Sequence, residues 1–176
     1  MNVILSGRVG IGKTTVCRKI LTLARKKGYR CGGILTPKIT NGDAVTGIAI
    51  IDIQTREKET LASVESIYDG PRVGRYYFNS LGIEFGKKAI RNGASSDILL
   101  IDEIGYLELR GEGFAFVPAL IQTGKLTSSI LVIRQELLTD FKNQFNMALP
   151  VFEVNLNNRN GLPKRIYRFL MESEDE

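Results

Sequence analysis

The chain contains no histidine. That removes imidazole from any acid–base step and from any metal site, leaving carboxylates, lysines and hydroxyls for such work. A metal here is expected to be a hard cation held by oxygen, which suits Mg²⁺. Cysteine is scarce: Cys17 and Cys31 form no metal-type pair. Cys17 falls in register with Leu21 and Ala24 on the apolar side of a helical segment, as a buried free thiol in a reducing cytosol would. No apolar run approaches the roughly 20 residues that a bilayer span needs. The chain enters a strand-like run at once, so no signal peptide and a cytoplasmic location without a membrane partner are expected. Repeats, low-complexity segments and linkers are also missing. The 176 residues read as one domain, 1–176, with an acidic, frayed tail from about Glu172 to Glu176.

Charge of one sign is in excess, with a net +5. Arg18, Lys19, Arg25, Lys26, Lys27 and Arg30 crowd one segment. Cations in the last turn of a helix compensate its dipole, so this cluster reads as a solvated face in preference to a nucleic-acid surface.

What is present is a phosphate loop. Gly7-Arg8-Val9-Gly10-Ile11-Gly12-Lys13-Thr14 fits G-x-x-x-x-G-K-[ST], with Thr15 next to it. It follows the apolar run Val3-Ile4-Leu5 and opens a helix expected from Thr14 to about Lys27. A strand-to-helix turn of this kind aims backbone N–H groups and the positive end of a helix dipole at an anion. Lys13 is expected to reach the β- and γ-phosphates, and the Thr14 hydroxyl to ligate Mg²⁺.

Further strands are expected at Cys31 to Thr36, Val45 to Ile53, Ile98 to Ile101, Ser129 to Ile133 and Val151 to Leu156. The tight-turn pair Asn41-Gly42 places a hairpin or small antiparallel extension after the second strand. Helices are expected from a cap at Asn79 or Ser80 to Asn92 with Gly93 as the stop, across Phe114 to Gln122 with Pro118 starting or kinking it, and over Glu136 to Phe145. Pro163 suits the first turn of a last helix. The alternation argues an α/β fold: a mostly parallel sheet flanked by helices.

The run Ile98-Leu99-Leu100-Ile101 ends in Asp102-Glu103. In phosphate-loop proteins an Asp at such a strand tip helps to hold Mg²⁺, here Asp102. Glu103 is the candidate to orient and activate the attacking water. A metal beside Asp102 relieves the repulsion between the two carboxylates. Glutamate directly after the metal Asp marks ATPases with an extra strand between loop strand and acid strand, here Ser129 to Ile133. Arg134 stands at that strand's tip, either to meet the γ-phosphate or as a surface arginine. Asp102-Glu103-Ile104-Gly105 also spells D-x-x-G, but no N-K-x-D for guanine accompanies it.

The chain resembles the THEP-type nucleoside-triphosphatases, small phosphate-loop proteins related to RecA-like ATPases. Asp102-Glu103-Ile104-Gly105 with Leu107-Glu108-Leu109 is similar to that family's D-E-I-G-x-M-E-L. Arg72-Val73-Gly74-Arg75-Tyr76 resembles its V-G-x-Y element, and Gly32-Gly33-Ile34-Leu35-Thr36 its G-F-[YF]-T strand. Asn158-Arg159-Asn160 with Leu162 resembles its N-R-[DN]-x-L. The resemblance implies Mg²⁺-dependent hydrolysis of ATP, GTP and other nucleoside triphosphates, with broad base selectivity and slow turnover. It assigns Gly7 to Thr14 to the phosphates and Asp102 to Glu108 to a second nucleotide element. Within it, Arg75 is a candidate arginine finger or a loop arginine, and Glu108 points to the site or begins the next helix. Arg159 stands where phosphate-loop folds often contact the base, and could stack on one. The chain departs from the family at Pro37-Lys38-Ile39, Thr46-Gly47-Ile48-Ala49 and the strand tip Val132-Ile133-Arg134.

The expected function is therefore a nucleoside-triphosphate phosphohydrolase with Lys13 and Glu103 as catalytic residues and Thr14 and Asp102 as metal ligands. The rivals on the same loop are a nucleoside, nucleotide or polynucleotide kinase and a non-catalytic nucleotide switch.

Overall fold

The computed structural model describes residues 1–171, and the expected acidic tail lies outside the described residues. The strands are β1 (Asn2–Gly7), β2 (Cys31–Leu35), β3 (Lys38–Asn41), β4 (Ala44–Asp52), β5 (Lys58–Ser63), β6 (Arg72–Val73), β7 (Tyr76–Phe78), β8 (Ile98–Ile104), β9 (Ser129–Arg134) and β10 (Val151–Glu153). The helices are α1 (Lys13–Lys26), α2 (Ser80–Gly93), α3 (Tyr106–Leu109), α4 (Val117–Gln122), α5 (Leu138–Phe145) and α6 (Leu162–Met171).

Among the described residues the strands form one ten-stranded sheet in the order β10-β1-β9-β8-β2-β4-β5-β7-β6, with β3 on β4. The segment from β10 to β2 is parallel throughout, and β9 lies between β1 and β8 as the acid pair led one to expect. From β4 onward all pairing is antiparallel. The sheet is thus mixed, and its antiparallel part is wider than the hairpin expected after β2. Strands β5 to β7 escape the sequence pattern because they are short, and α2 packs on β5.

Side-chain alternation sorts the core into two faces. Ile4, Leu131, Ile101 and Ile34 form one lateral row across four strands. They belong to the core that α2, α4 and α5 cover. The next row, Leu5, Val132, Asp102 and Leu35, turns toward α1 and α6. Asp102 therefore points from the sheet toward the helix that follows the phosphate loop. Cys17 and Cys31 are buried free thiols on this same side.

Two sequence alternatives resolve on local geometry, and one expected strand, Val151 to Leu156, is shortened. Asn79 is the cap of α2: its side chain accepts the Leu81 N–H at 3.1 Å and donates to the Thr60 carbonyl at 2.9 Å, tying α2 to β5. Pro118 sits in the first turn of α4 and starts it. The last strand stops at Glu153, because the Asn158 amide donates to the Glu153 carbonyl at 2.7 Å and Asn155 turns the chain.

Gly93 is the last residue of α2, yet contact explains it better than termination does. A Cβ there would lie 2.5 Å from the Gly33 nitrogen, and one on Gly32 would lie 2.5 Å from the Gly93 Cα. Helix and strand touch backbone to backbone, and neither side can yield. Gly93→Ala is expected to destabilise the fold by about 3 kcal/mol, read from denaturant unfolding. A shift below about 1 kcal/mol would show that α2 can slide outward.

Candidate active site at the phosphate loop

The phosphate loop runs from the carboxyl end of β1 into α1. Gly10 and Gly12 turn it at φ values of 78° and 105°, a region open to glycine. No side chain caps α1 and its first turn carries no acid, so the amides and the positive dipole end face outward. Lys13 folds back beneath the loop and is 7% exposed. Its ammonium donates to the carbonyls of Gly7 at 2.9 Å and Arg8 at 3.0 Å. Burial lowers its pKa, and the charges of Glu103 and Asp102 oppose that effect.

Asp102 lies under the start of α1 and is 2% exposed. Thr14 and the Thr36 backbone N–H lie beside its carboxylate and favour its charged form. Its Oδ2 has no protein partner. Burial, with the charge of Glu103 added, pushes its pKa up to about 7 against the opposing pull of Thr14, Lys13 and Thr36. An orphaned buried carboxylate oxygen beside a threonine hydroxyl is a donor set that fits Mg²⁺. Among the described residues no three Cys, Asp or Glu side chains gather as a metal cage. Mg²⁺ does not require one, since it keeps waters and shares substrate phosphates.

Glu103 follows at a bulge: Val132 of β9 pairs with Asp102 and Ile133 with Ile104, skipping Glu103. Bulges re-aim a side chain, and this one brings Glu103 to Arg134. The Arg134 Nε donates to Glu103 Oε1 at 2.5 Å. Burial alone would lower the guanidinium pKa, but the charge and hydrogen bond of Glu103 outweigh it and hold it above the ordinary value. Arg134 is thus a partly buried, paired arginine at the strand tip.

A cavity of about 780 Å³ opens beside the loop. Val9, Gly10, Gly12, Lys13, Thr14 and Thr15 line it from the loop side, and Asp102, Glu103, Gly105 and Arg134 from the strand tips. Arg75 joins them from the β6–β7 turn, with its guanidinium 5.2 Å from the centre of the Tyr76 ring. Glu108 also lines the cavity, but its carboxylate accepts the N–H of Gly105 at 2.7 Å and of Phe114 at 2.9 Å. It lies in the first turn of α3, which begins at Tyr106, and its pKa is raised by burial.

Other named residues stand elsewhere. Ile104 is buried in the core under α2, and Ile11 packs against the core under α1. Gly7 abuts Val154, where a Cβ would come 2.9 Å from the Val154 carbonyl. Arg8 is exposed and does not line the cavity. Arg159 lies on the exposed turn after β10, also outside it. Sequence reasoning missed the outer wall, including Leu61, Phe78 and Arg110, and met Lys38 and Ile48 only as departures from the family pattern. These residues belong to the antiparallel extension and to α3's end, and no motif marks them.

Phosphate loop, acid strand one place removed and helices on both faces define a RecA-like phosphate-loop α/β protein. The chain matches the NTPase family over residues 2–167. It is 34% identical to the nucleoside-triphosphatase THEP1 of Methanopyrus kandleri, covering 99% of this chain and 98% of that one. With the THEP1 of Methanosarcina barkeri it shares 33% identity over 94% of this chain and 95% of the other. The crystal structure of THEP1 from the hyperthermophile Aquifex aeolicus superposes with a TM-score of 0.72 at 20% identity, covering 97% and 99% of the two chains. The chain belongs to the NTPase family and is a hydrolase acting on nucleoside triphosphates.

Proposed function

We propose that this chain hydrolyses ATP, GTP and other nucleoside triphosphates to diphosphate and phosphate with Mg²⁺, slowly and with little regard for the base. The observation that carries this reading is the meeting of Lys13, the Thr14–Asp102 pair and the Glu103–Arg134 pair at one loop. The loop amides and Lys13 hold the β- and γ-phosphates. Thr14 and Asp102 hold the metal, which when bound supplies charge neutralisation on the phosphate oxygens. Glu103 orients a water in line with the γ-phosphate and takes its proton. Arg134 holds Glu103 at rest and exchanges this partner for the γ-phosphate when nucleotide enters, a step that fits slow turnover. Arg159, exposed beyond β10, can stack on any base. The two buried free thiols suit a cytoplasmic location.

Single-turnover phosphate release across the four common nucleoside triphosphates, with and without Mg²⁺, tests the reading. Metal-independent release, or release from one base only, would overturn it in those parts. Arg134→Ala should lower kcat about 10²-fold with a smaller change in KM, and Arg134→Lys should recover part of the loss. An unchanged kcat in Arg134→Ala would leave the pair without a catalytic role.

A pH dependence follows from Asp102. Between 3.8 and about 7 the folded protein retains a proton that the unfolded chain has lost, so metal-free stability falls as pH rises through that window. Metal binding needs the carboxylate, so the proton must leave. The gain in melting temperature from Mg²⁺ plus a non-hydrolysable triphosphate should therefore grow as pH approaches about 7 and level off above it. Asp102→Asn should flatten this profile, and a profile that survives in the variant would assign the titration elsewhere.

A further inference from the structure

The cavity extends well beyond the phosphate loop. The strand tips of β8 and β9, with Asp102, Glu103 and Arg134, lie on one side of the loop strand β1. On the other side is β10, with Val154 against Gly7 and the turn that carries Arg159. If the acids mark the γ-phosphate end, the nucleoside of a bound triphosphate lies toward β10. The cavity opens the opposite way, across β2 toward β4, β5 and β7. No residue of β10 or of the turn after it lines the cavity.

That outer part has its own chemistry. Ile48, Leu61, Tyr76, Phe78, Ile83 and Phe114 make an apolar and aromatic wall. Lys38, Arg75 and Arg110 line it from exposed positions. Among the described residues none of these three cations is paired with a carboxylate. Water as the sole acceptor needs neither the wall nor the cations. The cavity as a whole, phosphate-loop side included, has about 780 Å³, a volume within the range of small-molecule sites. A flat ring suits the aromatic wall, and a phosphate suits the unpaired cations.

We propose that the outer cavity binds a second ligand of the nucleoside monophosphate class and presents it to the γ-phosphate as a phosphoryl acceptor. This rests on the reading of Asp102 and Glu103 as the γ-phosphate end. An ionised phosphate oxygen of the monophosphate attacks the γ-phosphorus. The bond from that phosphorus to the β-bridging oxygen breaks, and its electron pair stays on the departing diphosphate. The acceptor leaves as a nucleoside diphosphate. The attacking oxygen carries no proton, so this transfer does not need Glu103 as a base.

The test uses the full chain, Mg²⁺ and γ-labelled ATP, with AMP, GMP, CMP and UMP offered in turn. Labelled diphosphate is expected with at least one of them. It should persist in Glu103→Gln while labelled phosphate release stops. Ile48→Trp, which fills the cavity, and Tyr76→Ala, which removes part of its wall, should each lower the ratio of transfer to phosphate release about tenfold. Labelled phosphate from the wild type, with no labelled diphosphate from any of the four in wild type or in Glu103→Gln, would overturn the acceptor site alone. An unchanged ratio in both cavity variants would overturn it as well. If neither labelled product forms, the hydrolase reading fails with it.

Discussion

Glu103→Gln is expected to bind Mg²⁺-nucleotide like the wild type and to hydrolyse it about 10³-fold more slowly. The amide keeps the size of the carboxylate, and its oxygen can still accept the Arg134 Nε–H that Glu103 accepts at 2.5 Å. What disappears is the negative charge and with it the capacity to take a proton from water. Asp102, Thr14 and the loop are untouched, so the nucleotide Kd should stay within about threefold of wild type. Single-turnover kinetics and calorimetric titration read the two quantities separately. A variant that hydrolyses at the wild-type rate would remove Glu103 from the chemistry. A variant that loses affinity to the same extent as rate would make it a structural residue.

Lys13→Ala should abolish function at the earlier step. The ammonium is held by the Gly7 and Arg8 carbonyls under the loop, already inside the space that the phosphates enter. Nearby carboxylates oppose the burial of this charge without cancelling it, and the charge in turn balances a negative field that would repel a triphosphate. Without Lys13 the carboxylates Asp102 and Glu103 face the incoming anion with less to balance them. Affinity is expected to fall about 10²-fold or more, because a charge-assisted contact is lost and a repulsion is exposed. The fold should survive, since the two freed carbonyls can be hydrated from the cavity. Equilibrium binding measured beside the melting temperature distinguishes the outcomes. Tight binding by the variant would mean that the loop amides suffice.

Why these two positions could be read from the sequence is a matter of local chemistry. The loop is a contiguous stretch, and the need for glycine at Gly10 and Gly12 is written into the backbone angles there. The acid pair ends an uninterrupted apolar run, and such a run becomes a central strand buried on both faces. Placing Ser129 to Ile133 between the loop strand and the acid strand followed from the acid pair itself, and the observed order agrees. Arg134 could be located but not interpreted: whether it meets Glu103 depends on the bulge between Asp102 and Ile104, which no pattern in the chain announces. The outer cavity was hidden for a different reason. Its wall is assembled from β4, β5, β7, α2 and the segment near Phe114, which are far apart in sequence. Each contributes one or two apolar residues that read as ordinary core. Glu108 shows the same limit, since its partners Gly105 and Phe114 emerge only once the chain has turned around α3.

The position of β9 sets a distance that the chemistry then has to respect. Neighbouring strands sit about 4.8 Å apart, so one strand interposed between β1 and β8 holds the two backbones roughly 10 Å from each other. The Thr14–Asp102 pair crosses part of this gulf at the metal end. At the Glu103 end Arg134, carried by β9, stands in this space and pairs with the carboxylate. On the reading proposed above, that spacing suits a water activated by Glu103 better than direct attack by the carboxylate. The strand order thereby acts as a gauge: it reserves the place of the nucleophile for something the protein admits from outside.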